Sequence, residues 1–192
     1  MNNARRITAT LVASAALVAP STLAATAHAA PAEPTKKPAK AKPLKAQTKQ
    51  LLKDIAGKDK RLTRLSTSTA VTRLADDTEA ELVANIADAL AALGEIKTAV
   101  EAADSTVDTR AARKDLRSFR VENFRIVVNV LKQAEGLEEA AASDAEAVTH
   151  LAAAESAALE IAATSTKADI RAVRAHLRAA KAELETETET PA

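Results

Sequence analysis

The stretch RAARKDLRSFR, residues 110 to 120, sets Arg110, Arg113, Arg117 and Arg120 three or four residues apart. That spacing puts side chains on one stripe of an α-helix. A second stretch, RAVRAHLRAAK, carries the same pattern in Arg171, Arg174, Arg178 and Lys181. A guanidinium is a planar fork of N–H donors that keeps its charge, which suits it to phosphate and carboxylate oxygens. Two roles follow. The stripes could bind anionic groups of a partner, or their stems could cover apolar seams while the forks meet Asp and Glu of a neighbouring helix. With Leu116, Phe119 and Val130 as the buried direction, the arginines fall roughly 110° around the wheel, at the core boundary, where both roles stay open.

Other chemistries find less support. The chain has no cysteine, which removes disulfides, thiolate nucleophiles, Cys-ligated zinc and a lipid-modified cysteine together. Of its three histidines, His28 lies in the leader described below. His150 and His176 are too few and too far apart for a metal site of three or four ligands, and the paired Glu-x-x-His pattern of di-iron bundles is missing. No Gly-rich phosphate loop, G-x-S-x-G elbow or H-E-x-x-H motif occurs, and three isolated glycines cannot build the first two. No catalytic residue, cofactor or metal is therefore assigned. Phe119 and Phe124 are the only aromatic residues, and Trp and Tyr are absent, so there is no stacking platform for bases or sugar rings.

The elements that must position the stripes are helices. Between Leu44 and Thr190 there is no proline, and only Gly57, Gly94 and Gly136 interrupt a run rich in Ala, Leu, Glu, Lys and Arg, the strongest helix formers. Apolar residues recur at helical spacing in five groups. These are Leu51, Ile55, Leu62 and Leu65; Leu82, Ile86, Leu90, Leu93 and Val100; Leu116, Phe119, Val127 and Val130; Val148, Leu151 and Leu159; and Ile170, Val173, Leu177 and Leu184. Capping boxes mark starts at Thr78 with Glu81, Ser105 with Asp108, Ser143 with Glu146, and Thr166 with Asp169. The β-branched run Ile126 to Val130 reads as helix because both flanks do. Val121, Phe124, Val128 and Leu131 give this third helix a second apolar face, and the first helix, from about Gln47 to Ser66, is expected to cover it. The fold class is all-α, an antiparallel bundle of about five helices.

Laying Leu90 on Leu151 without gaps also matches Asp108 with Asp169, Leu116 with Leu177 and Glu122 with Glu183, and it superposes the two basic stripes. A repeat of about 60 residues follows, in which two helical hairpins are copies and the first helix stands apart.

The ends of the chain bear on where it works. Met1 to Ala29 combines Arg5 and Arg6, an apolar run from Ile7 to Ala19, and a small-residue stretch ending Ala27-His28-Ala29. This is the three-part pattern of a secretory signal, with cleavage expected after Ala29. Residues 30 to 43 carry four of the six prolines together with Lys36, Lys37, Lys40 and Lys42, and are expected to form a disordered arm. The bundle then spans 44–186, and 187–192 form an acidic tail. Without Arg5 and Arg6 the 27 basic groups become 25, against 26 acidic ones. Residues 30–53 hold seven lysines against Glu33 alone, so a basic arm joins an acidic body. No second long apolar segment follows that could span a membrane.

The Ala-rich leader, the Pro-Ala-Lys arm and the cysteine-free helical body resemble the uncharacterised secreted, all-helical proteins of actinobacteria. The resemblance implies export and helicity and carries no activity. The expected function is a secreted structural or protein-interaction module, extracellular or cell-wall associated, with no catalysis. The alternative is an anion-binding protein that engages a cell-envelope polymer, such as wall teichoic acid, or nucleic acid through the stripes and the lysine arm. Export argues against nucleic acid.

Overall fold

A computed structural model describes residues 43–188, with side chains as far as Thr186. All of these belong to the unit Ala41–Ala192. The expected leader, most of the arm with Lys36, Lys37, Lys40 and Lys42, and residues 189–192 lie outside the described residues.

Among the described residues the regular structure is entirely helical: α1 (Leu44–Ser66), α2 (Asp76–Glu101), α3 (Thr106–Ser118), α4 (Glu122–Ala141), α5 (Ala145–Leu159) and α6 (Lys167–Thr188). The all-α bundle is therefore as the apolar spacing predicts. The number of segments rises from five to six because the expected third helix is divided between α3 and α4. Phe119 closes α3 in an extended conformation, φ −76° and ψ 106°. The cause is packing. Phe119, Val121 and Phe124 are all buried, yet on one continuous helix Phe119 and Val121 would point about 200° apart. Breaking the helix between them turns both inward.

Helix starts follow local hydrogen bonding. Ser105 and Asp108 form a full capping box at α3. At α6, Thr166 N donates to Asp169 Oδ2 at 2.7 Å and Asp169 N donates to Thr166 Oγ1 at 3.4 Å, the same reciprocal arrangement. The other two expected boxes are not formed. Thr78 lies inside α2, whose N-cap is Ala75, and Glu135 Oε1 accepts from Ala75 N at 2.8 Å instead. At α5 the cap is Asp144 rather than Ser143, accepting from the backbone N–H groups of Glu146 and Ala147. A carboxylate one residue later serves the same orphan donors and suits the positive helix end.

Packing groups the helices by threes. α1, α2 and α3 pack mutually, as do α4, α5 and α6, and α2 meets α5 between the sets. One apolar cluster runs through all six helices and includes Val71 and Leu74 from the connection between α1 and α2. The most extensive packing is between α5 and α6, where the buried face of α5 consists of Ala147, Leu151, Ala154 and Ala158. Small side chains there let the backbones approach. Val148, expected in that face, is 46% exposed, because the buried stripe falls one residue earlier.

The second apolar face of α4 is covered, with Val121, Phe124, Val128 and Leu131 all buried, but the extensive neighbours of α4 are α5 and α6 rather than α1. α1 reaches the start of α4 through an ion pair, Arg61 Nη1 to Glu122 Oε1 at 3.0 Å. The 160–166 connection is fastened to the α3–α4 elbow. Arg120 N donates to Ala163 O at 2.7 Å, and the buried Asn123 donates from Nδ2 to Ala162 O at 3.0 Å and Ser165 O at 3.1 Å.

Candidate anion-binding grooves

Two of the four arginines in the first stripe line a shared cleft. Arg113 and Arg117, one turn apart on α3, border a groove of about 620 Å³ between α3 and α1. α1 contributes Lys53, Lys58 and Arg61 to the same groove, so five cationic side chains face a single carboxylate, Asp54. Leu51 and Leu116 form its apolar floor. These follow from helical spacing. Lys53, Gly57 and Arg61 lie four residues apart on α1, as do Gln50, Asp54 and Lys58, which aligns two rows along one side of the helix.

Gln50, Asp54, Lys58 and Arg61 of α1 are already engaged in this groove. Asp54 Oδ1 accepts from Gln50 Nε2 at 2.8 Å. Arg61 donates to Gly57 O at 3.1 Å as well as to Glu122. Lys58 Nζ donates to Phe119 O at 2.5 Å and lies 5.8 Å from the centre of the Phe119 ring. Burial pulls the Lys58 ammonium below the ordinary lysine pKa, the Glu122 and Asp54 carboxylates oppose that, and Arg61 adds to it. The guanidinium groups of Arg113 and Arg117, by contrast, have no hydrogen-bond or ion-pair partner among the described residues. Neither forms an internal ion pair among the described residues.

The second stripe lines a smaller cleft. Arg174, Arg178 and Lys181 of α6 border a groove of about 260 Å³ against Asn129 and Gln133 of α4, over Ile126, Val130 and Leu177. Arg113, Leu116 and Arg117 match Arg174, Leu177 and Arg178 in the sequence repeat, and here each trio faces a groove against the first helix of its own three-helix set. In this packing α4 takes beside α6 the place that α1 takes beside α3. Lys181 Nζ donates to Gln133 Oε1 at 2.9 Å, and Gln133 Nε2 donates to Asn129 O at 3.1 Å.

The remaining stripe residues point elsewhere. Arg110, Arg120 and Arg171 are exposed and border neither groove. Lys53, Lys58 and Arg61 are the groove residues that the stripes alone did not single out. Their four-residue spacing on α1 is the signal, but no sequence rule says that this side of α1 meets α3.

Among the described residues no cluster of His, Cys, Asp or Glu could hold a metal ion. His150 and His176 are half-buried on separate helices. No helix among them is long and apolar enough to cross a membrane. Comparison with protein-family models, curated proteins and solved structures finds no match.

Proposed function

We propose that the chain is exported, that its leader is removed after Ala29, and that the helical body is a non-catalytic binding module of the cell envelope. Its α1/α3 groove takes the anionic groups of an envelope polymer. One observation carries this reading: Arg113 and Arg117 stand unpaired beside Lys53, Lys58 and Arg61 in a groove with one carboxylate, which is itself held by Gln50. Like charges one helical turn apart cost a few tenths of a kcal/mol. A bound anion reverses that cost, and forked donors over an apolar floor favour phosphate or carboxylate oxygens. The basic arm, Lys36, Lys37, Lys40 and Lys42, adds non-specific attraction for the same polymer.

Retention on isolated cell wall tests the reading. The full chain is expected to bind at low salt and to elute as salt rises, while R113Q/R117Q elutes at clearly lower salt. Absence of retention at low salt, or retention that R113Q/R117Q leaves unchanged, overturns the groove as the binding site. Changing Lys36, Lys37, Lys40 and Lys42 to Gln, all upstream of α1, separates the share of the arm from that of the groove.

A further inference from the structure

The α4/α6 groove differs from the α1/α3 groove in two ways that bear on what it holds. It has less than half the volume, and no carboxylate borders it. Its cations are Arg174, Arg178 and Lys181, and neither guanidinium is engaged among the described residues. Lys181 is half-buried and held by Gln133, which is itself tied to the α4 backbone at Asn129. Two free forks and a positioned ammonium over Ile126, Val130 and Leu177 make a compact, wholly cationic donor set. Such a set matches a tetrahedral oxyanion, whose oxygens can accept from several directions, better than a planar carboxylate, which is served by one fork.

We infer that the α4/α6 groove is a second anion site, that it holds a single phosphate group, and that each chain is therefore bivalent for a phosphate-bearing polymer. The choice of polymer rests on the proposed function, whereas the site itself does not. Bivalency gives the module a way to bridge two stretches of polymer, because the second contact forms at the high effective concentration set by the first.

Calorimetric titration of the full chain with tripolyphosphate at low salt tests this, with Lys36, Lys37, Lys40 and Lys42 changed to Gln to silence the arm. Two binding events per chain are expected. R174Q/R178Q should remove one, R113Q/R117Q the other, and the fourfold variant both. R174K/R178K keeps the charge and loses the forks, so the affected event should weaken by about tenfold rather than vanish. If R174Q/R178Q titrates like its parent, the second site is overturned, whatever R113Q/R117Q does. If R113Q/R117Q is the silent pair, the α1/α3 reading falls and the second site stands. Circular dichroism of each variant checks the fold. Turbidity with long-chain polyphosphate gives a further readout: the parent should cross-link it, and a variant with one groove should not.

Discussion

Lys58 on α1 donates to the carbonyl oxygen of Phe119, the residue that closes α3. A cation at a helix C-terminus meets the negative end of the dipole and an orphan carbonyl at once. This bond reaches across 61 residues of chain, and its donor also lines the α1/α3 groove. Changing Lys58 to Met leaves the Phe119 carbonyl without this donor and should cost about 1–2 kcal/mol. Urea unfolding measures it, and unchanged stability would show that water replaces the ammonium without loss.

Asn123 is buried and supplies two hydrogen bonds to the 160–166 connection. Asn123→Ala removes both and should cost about 2–3 kcal/mol, with faster amide exchange across residues 160–166. Asn123→Asp should be worse at neutral pH, since a carboxylate facing two carbonyl oxygens has nothing to donate. Its folded-state pKa would be raised, so the variant should recover stability as pH falls. Equal stability of the two variants at pH 7 would contradict this account.

Glu155 on α5 has its carboxyl pushed above the ordinary glutamate pKa, first by burial and then by Glu138 and Glu135 of α4. A raised acid is protonated more readily in the folded state, so its contribution is full below its unfolded pKa and is lost as pH rises through its folded value. Glu155→Gln should therefore raise Tm at pH 7 by a small amount, on the order of a degree. The gain should shrink as pH falls toward the carboxylate range. Thermal unfolding at both ends of that range reads the difference.

Gly136 lies inside α4, and a Cβ built there meets nothing within 4 Å. Gly136→Ala should stabilise the fold by about 0.5–1 kcal/mol through helix propensity alone. A rise in Tm of roughly 1–4 °C is expected. A fall would mean that Gly136 has a role in the bundle beyond its backbone.

The helices were legible from the sequence because periodic leucines and valines separated by helix formers leave few alternatives. The starts at Ser105 and Thr166 were legible as well, since both halves of each capping box lie within four residues. What escaped was set by partners distant in the chain. Ala75 takes its cap from Glu135, and no local pattern could announce it. The elbow at Phe119 arises from the competing claims of Phe119 and Val121 on one core, although local spacing favoured an unbroken helix. The candidate site was half visible. Arg113 and Arg117 were marked by their stripe, but so were Arg110 and Arg120, and only the approach of α1 decides which of the four line a cleft.

Only three residues, Phe119 to Val121, separate α3 from α4, and backbone and side-chain bonds hold this joint to the 160–166 connection. A hinge so short and so clamped leaves the two clefts little freedom to drift apart or together. On the proposed two-site reading the molecule is a fixed-span caliper: a polymer whose charges recur at its gauge would close both jaws with little loss of freedom, and one with a different period would fill only one.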